Sequence, residues 1–181
     1  GVALGNAIVS DNCDDDLVAT NNAPASFPLG DTTVTWTVTD DNSNTATATQ
    51  IVTVEDDIAP EFSSVPADIN VECDVDTTNT ANTGGSATAT DNCDNNVEIT
   101  YTDSTVNGIG NNSVITREWT ATDDSGNVST EDQVITVEDT TAPTITAPAA
   151  VTVNVDAGTC EAIGVALGNA IVSDNCDDDL V

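Results

Sequence analysis

Carboxylate side chains recur in three kinds of short segment, and each kind occurs at least twice. One surrounds a cysteine, one is a turn between two Thr- and Val-rich segments, and one follows the second of those segments. Carboxylate, amide and carbonyl oxygens are the ligands that Ca²⁺ prefers in proteins. We therefore predict calcium ligands among Asp11, Asp14, Asp40, Asp41, Asn44, Glu55, Asp56, Asp57, Asp91, Asp94, Asp123, Asp124, Asn127, Glu138, Asp139, Asp174 and Asp177.

The charge balance favours a bound cation. The chain has 32 acidic residues, one basic residue and no histidine, which gives a formal net charge of -31. Carboxylates within about 8 Å of one another, with no cationic side chain available, repel strongly and need a counter-ion. The alternative is that these residues are solvated turn residues, because Asp, Asn and Gly populate turns in any case. Turn chemistry does not explain the near absence of cations.

The missing residue types exclude several functions. Without His or Lys the chain has no Ser-His-Asp or Cys-His constellation, no Lys Schiff base and no His-ligated zinc. A surface with this much negative charge repels the phosphate groups of nucleic acid. No apolar run approaches the roughly 20 residues that span a bilayer. We therefore expect no enzymatic activity, no nucleic-acid partner and no membrane insertion.

Two internal repeats organise the chain. Residues 164–181 repeat residues 1–18 without a substitution, so the longer period is 164 minus 1, or 163. A shorter repeat aligns Trp36 with Trp119 and Pro60 with Pro143, each at an offset of 83 in the numbering. The pattern predicts a complete module at residues 59–141, preceded by residues 1–58, which lack an opening segment, and followed by residues 142–181, the opening part of the next copy. Either the parent chain continues upstream, which we favour, or neighbouring copies exchange these segments.

The local pattern predicts β-strands throughout. Thr and Val alternate with a period of two in residues 32–39 and 46–55, around a turn at 40–45, and again in residues 114–122 and 129–138. Short strands in modules of this size, with Trp36 or Trp119 on the penultimate strand, are typical of an immunoglobulin-like β-sandwich. We predict an all-β fold of tandem immunoglobulin-like β-sandwich modules in a linear array, with both tryptophans in the core.

Five cysteines are consistent with two disulfides and one cysteine whose partner lies outside this sequence. Cys73 and Cys93 fall in one predicted module, and Cys160 and Cys176 fall together in the other, so we predict these two pairs. Cys13 is the copy of Cys176. Thiolate metal ligation would need clustered CxxC spacings, which are absent. Disulfides indicate an extracytoplasmic compartment.

One conflict accompanies that pairing. Cys73 follows the opening strand and should lie near the C-terminal end of its module, whereas Cys93 belongs to a loop that we place at the N-terminal end. A disulfide requires Cα atoms within about 7 Å. Either the segment before Cys93 doubles back, or the assumed strand order is wrong.

The same topology predicts where the acidic segments meet. The last strand of a module runs toward its end, so the turn before it lies beside the linker that arrives from the preceding module. In an immunoglobulin-like order the loop 91–96 lies at that end too. We expect one joint, clamped by calcium, to gather Glu55, Asp56, Asp57, Asp91, Asp94, Asp123 and Asp124.

At these residues the sequence resembles hyalin-repeat modules. The resemblance rests on an Ala-Pro start, an Asp-Asn-Cys loop, a Thr-Asp-Asp-Ser-Gly-Asn hairpin and a Val-Glu-Asp end, which are here Ala142-Pro143, Asp91-Asn92-Cys93, residues 122–127 and residues 137–139. The module of residues 1–58 departs from the pattern, because Asn42-Ser43-Asn44 stands where Ser125-Gly126-Asn127 stands in the other. Its hairpin is therefore the less certain ligand site.

Long acidic arrays of such modules are similar to the giant surface adhesins of gliding Bacteroidetes, of the SprB type, exported by the type 9 secretion system. The resemblance implies a secreted, cell-surface filament used in adhesion and gliding motility, with neighbouring modules and a surface glycan or protein receptor as partners. The alternative is a dedicated carbohydrate- or protein-binding domain. Such domains usually present aromatic platforms or concave pockets, whereas both tryptophans here fall on the apolar side of strands.

Overall fold

The computed structural model describes residues 3–177, and the chain divides into two compact units, Gly1–Asp57 and Ile58–Val181. We call them the first unit and the second unit. The described residues contain strands and one short 3₁₀ helix, Thr80–Thr83, and no α-helix. The all-β prediction is confirmed, and the arrangement within the second unit is consistent with a β-sandwich. The tandem immunoglobulin-like array and the module boundaries stay predictions.

The first unit contains one three-stranded antiparallel sheet. Its strands are β1 (Thr20–Asn21), β2 (Gly30–Thr39) and β3 (Thr45–Val54), in the order β1-β2-β3. Alternating Thr and Val favour the extended conformation, because branched side chains pack well on a pleated surface. The predicted hairpin is therefore present, and β3 forms an edge of the sheet.

The second unit holds the remaining strands in three sheets. Its largest sheet has the order β5-β9-β8-β7, and the two small sheets are β4-β6 and β10-β11. The bounds are β4 Glu61–Ser64, β5 Ile69–Glu72, β6 Thr88–Thr90, β7 Glu98–Asn107, β8 Ser113–Thr122, β9 Val128–Glu138, β10 Thr144–Thr146 and β11 Ile171–Ser173. The predicted hairpin of residues 114–138 is β8-β9.

The opening segment of the second unit passes from one sheet to another. β4 pairs antiparallel with β6, and β5 then pairs parallel with β9, with Ile69 opposite Ile135 and Val71 opposite Val137. Pro66 lies between these strands, where it interrupts neither hydrogen-bonded ladder. The crossing places β5 beside the end of β9, and so carries Cys73 to the C-terminal end of that strand.

The core lies under this crossing. Ile115, Ile135 and Val137 are buried together, and Ile69, Val71 and Cys73 pack against them. Trp119 is 2% exposed, as its position on the apolar side of β8 predicts, whereas Trp36 is half-buried and its indole N–H donates to Gln50 Oε1 at 2.9 Å.

Arg117 is buried beside this core, although it is the only basic residue. Its Nε and Nη2 donate to the two carboxylate oxygens of Asp103 at 2.8 Å each. Nη1 donates to Thr83 Oγ1 at 2.9 Å, Nη2 also donates to the Thr77 carbonyl at 2.7 Å, and the guanidinium lies 4.1 Å from the centre of the Tyr101 ring. The bonds to Asp103 raise the pKa of Arg117 against the opposing effect of burial. The single cation therefore holds the loop of residues 77–83 onto the sheet.

Candidate metal centre

The hairpin turn of the second unit is organised by Asp123. Its Oδ1 accepts hydrogen bonds from the backbone N–H groups of Ser125 at 3.0 Å and Asn127 at 2.8 Å, and its Oδ2 accepts one from Asn127 Nδ2 at 2.8 Å. Gly126 has a φ of 89°, a conformation that glycine adopts without strain. Asp123 is only 6% exposed. Both carboxylate oxygens of Asp123 thus accept hydrogen bonds from within the turn. This is the local role that Asp residues commonly have in turns, and it needs no bound ion.

The first unit contains the same turn, with a serine in place of Gly126 at the position of positive φ. Asp40 Oδ1 accepts from the backbone N–H groups of Asn42 at 2.9 Å and Asn44 at 2.7 Å, and Asp40 Oδ2 accepts from Asn44 Nδ2 at 2.7 Å. Ser43 takes the left-handed conformation, with a φ of 71°, where the second unit has Gly126. The sequence difference therefore leaves the hydrogen bonds of the turn unchanged.

These turn carboxylates predict a loss of stability in acid. Burial raises the pKa of Asp123, but the hydrogen bonds from Asn127, Ser125 and Gly126 outweigh it, so the pKa lies below its ordinary value of 3.8. A lowered native pKa contributes stability that is present above pH 3.8 and is lost as the pH falls through the native value. In chelator, unfolding of wild type followed from neutral pH to pH 3 should therefore show a steeper loss than unfolding of Asp123→Asn. Parallel curves for the two proteins would contradict the assignment.

A loop that contains an Asp-Asn-Cys sequence lies against the hairpin turn in each unit, around Cys93 in the second unit and around Cys13 in the first. In the second unit Asp94 Oδ1 accepts from Asn96 N–H at 2.7 Å, and Asp94 Oδ2 accepts from Asp124 N–H at 3.0 Å. In the first unit Asp14 Oδ2 accepts from Asp41 N–H at 3.2 Å. The structure therefore brings together two of the acidic segments at one end of each unit.

One carboxylate oxygen in this loop is buried without a hydrogen-bond partner. Asp91 Oδ1 accepts from the backbone N–H groups of Cys93 at 2.8 Å and Asp94 at 2.9 Å, while Asp91 Oδ2 is buried and receives no hydrogen bond from the described residues. Asp174, its counterpart in the shorter repeat, has the same arrangement. Its Oδ1 accepts from Cys176 N–H at 2.8 Å and Asp177 N–H at 3.1 Å, and its Oδ2 is likewise buried and unpartnered. A buried charged oxygen without a partner is costly unless a cation binds it.

Further carboxylates lie beside Asp174. Glu72 and Asp139 each place an oxygen within 4.8 Å of the other and of Cys176 Sγ. The hydrogen bonds that Glu72 accepts from Thr140 lower its pKa, and the negative charge of Asp174 opposes that effect. Glu72 and Asp139 thus offer hard oxygen donors close to each other, and Asp174 is near enough for its charge to act on Glu72. No basic side chain lies among these three residues, whose carboxylates are of the type that Ca²⁺ prefers. We call the three residues the Glu72 cluster.

Glu72 is absent from the sequence-based ligand set. β5 pairs with β9 so that Glu72 lies opposite Glu138, and the linker residue Asp139 follows directly. The sequence does show an acidic residue, Glu72, immediately before Cys73. It could be recognised as a candidate ligand only if the partner of Cys73 were known, because the disulfide with Cys176 brings the loop of Asp174 beside it.

The remaining predicted ligands are placed as follows. Asp11 Oδ1 accepts from Cys13 N–H at 2.8 Å, as Asp91 and Asp174 do in their own loops. Glu55, Asp56 and Asp57 close the first unit, whereas the loops around Asp91 and Asp124 belong to the second. The structure describes each unit by itself, so the gathering of those residues in one joint stays a prediction.

The predicted cysteine pairs are corrected by the structure. Cys73 is joined to Cys176, with the Cα atoms 5.8 Å apart, and not to Cys93. Cys160 and Cys13 are exposed free thiols, so the predicted pair of Cys160 with Cys176 is wrong as well. Cys73 and Cys93 lie at opposite ends of the sheet. Cys73 lies beside the end of β9, while the loop containing Cys93 lies against the hairpin turn where β9 begins. The whole length of β9 separates the two ends.

The comparisons with known proteins concern the first unit most directly. Residues 2–54 match the family model of the HYR domain. The match supports a hyalin-repeat module there, and HYR domains are typically extracellular or cell-surface modules. No curated protein was found to match the chain. The HYR match ends at β3, immediately before the acidic linker.

A membrane-spanning helix is not found among residues 3–177: no helix there is both long enough and apolar enough.

Proposed function

We propose that the chain is a calcium-rigidified, disulfide-stapled repeat module of a long extracellular filament that acts as a cell-surface adhesin or stalk in adhesion and gliding motility. The HYR match supports the extracellular repeat module. Calcium, the filament and gliding are the proposed part. Neighbouring modules are the first partners in this proposal, and a surface glycan or protein receptor is the second.

The observation that supports the calcium proposal is the buried Asp174 Oδ2, which receives no hydrogen bond from residues 3–177. The charge of Asp174 also acts on Glu72, whose carboxylate lies close to that of Asp139. Glu72 and Asp139 are held by the second unit's largest sheet and by the linker that leaves it, whereas Asp174 belongs to the loop that follows β11. A cation shared by these carboxylates would join the loop to the sheet at the disulfide. The loop after β11 would then be held to the sheet both by the disulfide and by the shared ion.

This proposal predicts opposite effects of Asp174→Asn with and without calcium. In chelator the substitution removes one of several mutually repelling charges, so the free energy of unfolding should stay the same or rise. In calcium it removes a ligand, so stabilisation by the ion should fall. For wild type that stabilisation is about 2.7 kcal/mol when free calcium is 100 times Kd. Thermal unfolding and calorimetric calcium titration measure both effects.

Asp132→Asn is the matched control for that prediction. Asp132 is exposed on β9, outside the Glu72 cluster, and its substitution removes the same charge. Wild type and the control should bind calcium alike. Equal calcium binding by Asp174→Asn and the control would contradict the proposed centre, and so would the absence of any calcium-dependent stabilisation of wild type.

A further inference from the structure

Trp119 and Gln133 are buried side chains of the second unit's largest sheet, and each has one polar atom without a partner. Trp119 is 2% exposed and Gln133 is 0% exposed. Neither Trp119 Nε1 nor Gln133 Oε1 makes a hydrogen bond with any of residues 3–177. The indole nitrogen is a donor and the amide oxygen is an acceptor. Because buried polar groups are nearly always hydrogen-bonded, this complementary pair needs an explanation.

The sheet places the two side chains on one face, a diagonal step apart. In the register of β8 and β9, Trp119 lies opposite Glu131, and Gln133 lies opposite Arg117. Gln133 is therefore a diagonal neighbour of Trp119 across two antiparallel strands. Such neighbours are about 7 to 8 Å apart, which is within reach of aromatic and long side chains. The unpartnered donor and the unpartnered acceptor thus lie in the same part of the core.

The first unit contains the same pair of side chains. Trp36 and Gln50 are the counterparts of Trp119 and Gln133, because both pairs are related by the offset of 83. They have the same diagonal relation in the register of β2 and β3. There the indole N–H of Trp36 donates directly to Gln50 Oε1 at 2.9 Å. A tryptophan and a glutamine at these positions can therefore be joined through the indole nitrogen and the amide oxygen.

In the second unit the amide group of Gln133 is held through its nitrogen. Nε2 donates to the Ala67 carbonyl at 3.0 Å and to the Thr83 carbonyl at 2.6 Å. Gly84 packs beside this amide, since an added Cβ atom there would lie 3.8 Å from Gln133 Nε2 and 3.3 Å from Pro66 Cβ. Gln133 thereby joins the segment between β4 and β5 to the loop of residues 77–83. Moving the amide toward the indole would disturb both bonds.

The indole ring of Trp119 is held by other neighbours. Its centre lies 5.2 Å from the centre of the Tyr101 ring and 5.8 Å from the Arg117 guanidinium. Arg117 is itself fixed by its bonds to Asp103 and Thr83. A shift of the ring toward Gln133 would therefore disturb the buried cation. In the first unit Val34 stands in place of Arg117, so Trp36 has no such constraint.

We propose that the second unit binds one internal water molecule between Trp119 and Gln133. The indole N–H of Trp119 donates to the water oxygen, and the water donates to Gln133 Oε1. A single water molecule supplies the one acceptor and the one donor that these two groups need, and neither side chain has to move. Gln133 can then hold Ala67 and Thr83 through its nitrogen while its oxygen supports Trp119. This water site is independent of calcium and of the Glu72 cluster.

A crystal structure of the intact chain, at a resolution that shows ordered water, tests the proposal directly. A water oxygen should lie at hydrogen-bonding distance, about 2.7 to 3.2 Å, from both Trp119 Nε1 and Gln133 Oε1. The contact of Trp36 with Gln50 is the internal control and should contain no bridging water, because those side chains bond directly. A direct bond between Trp119 and Gln133, or the lack of any water peak between them, would overturn the proposal.

Water-to-protein nuclear Overhauser effects in the ¹⁵N-labelled chain test the same site in solution. The indole proton of Trp119 should show a cross-peak to a water molecule that tumbles with the protein, and Trp36→Phe assigns the two indole signals. Without that cross-peak in the wild-type chain, whose folding no substitution affects, the water site does not exist.

Two variants identify the groups that hold the water. Gln133→Met keeps an unbranched side chain but removes the amide, so the cross-peak of Trp119 should be lost. Ser129→Ala is the matched control, because Ser129 lies on the same face of β9 and its Oγ is also buried without a hydrogen bond from the described part of the chain. This control should keep the cross-peak. Persistence in Gln133→Met, or loss in Ser129→Ala, would show that other groups hold the water and would refute the assignment.

Discussion

Replacing Arg117 by Met is expected to lower the free energy of unfolding of the second unit by about 3 to 5 kcal/mol, the usual result of removing one partner of a buried ion pair. Arg117 is 0% exposed, and Asp103 is 24% exposed. The substitution leaves the Asp103 carboxylate without its counter-ion, and leaves Thr83 Oγ1 and the Thr77 carbonyl without their donor. Urea denaturation followed by tryptophan fluorescence measures the change, since Trp119 lies on the same strand.

The double variant Arg117→Met with Asp103→Asn separates charge from packing. If the loss comes from an uncompensated carboxylate, neutralising Asp103 recovers a substantial part of it. Arg117→Lys should recover little, because an ammonium group cannot form the two parallel bonds that the guanidinium makes with Asp103. A loss below about 1 kcal/mol for Arg117→Met would instead be the result expected for an exposed ion pair.

In the first unit an apolar residue, Val34, occupies the position that corresponds to Arg117. Val34, the counterpart of Arg117 in the shorter repeat, is also 0% exposed. Val34→Ala should reduce the stability of the first unit only by the loss of methyl groups and the resulting cavity, about 1 to 3 kcal/mol. The buried cation of the second unit therefore serves the loop that it binds, and a strand of this type does not require it.

The sequence was sufficient to predict features that depend on neighbouring residues. Alternating Thr and Val predicted the hairpins β2-β3 and β8-β9, and the turns rich in Asp and Asn are where the pattern places them. The shorter repeat also carried over from sequence to structure, because Asp40 and Asp123 make the same hydrogen bonds. The sequence identified Arg117 only as the single cation, however, since a charged residue is normally expected at the surface.

Features that depend on distant pairing were not predictable in the same way. β5 pairs with β9, with Ile69 opposite Ile135, and nothing local to residues 69–72 specifies a parallel partner so distant in the sequence. Residues 171–173 likewise form β11 only through pairing with Thr144–Thr146, which lies much earlier in the sequence. The Glu72 cluster was missed because its residues are brought together by the pairing of β5 with β9 and by the Cys73–Cys176 disulfide, both of which join segments distant in the sequence.

Loss of the Cys73–Cys176 disulfide is the second change expected to have a large effect. The bond closes a loop with a sequence separation of 103. Opening a loop of about 100 residues increases the entropy of the unfolded chain by an amount equivalent to about 4.7 kcal/mol. The double variant Cys73→Ser with Cys176→Ser should therefore unfold at much lower urea concentration than wild type. If the proposed calcium centre is correct, the double variant should also lose stabilisation by calcium, because the disulfide no longer holds the loop of Asp174 beside Glu72.

Cys13→Ser is the matched control, since Cys13 stands in the same repeated sequence as Cys176 and is an exposed thiol. Cys93→Ser then distinguishes the pairings. Under the pairing in the structure it removes no disulfide and leaves the stability of the second unit nearly unchanged. Under pairing of Cys73 with Cys93 it would cost about 3 kcal/mol, as expected for a shorter loop. Mass spectrometry of a non-reduced digest should recover Cys73 linked to Cys176 in wild type and in both control variants. This linkage decides whether the disulfide joins the largest sheet of the second unit to the loop that follows β11.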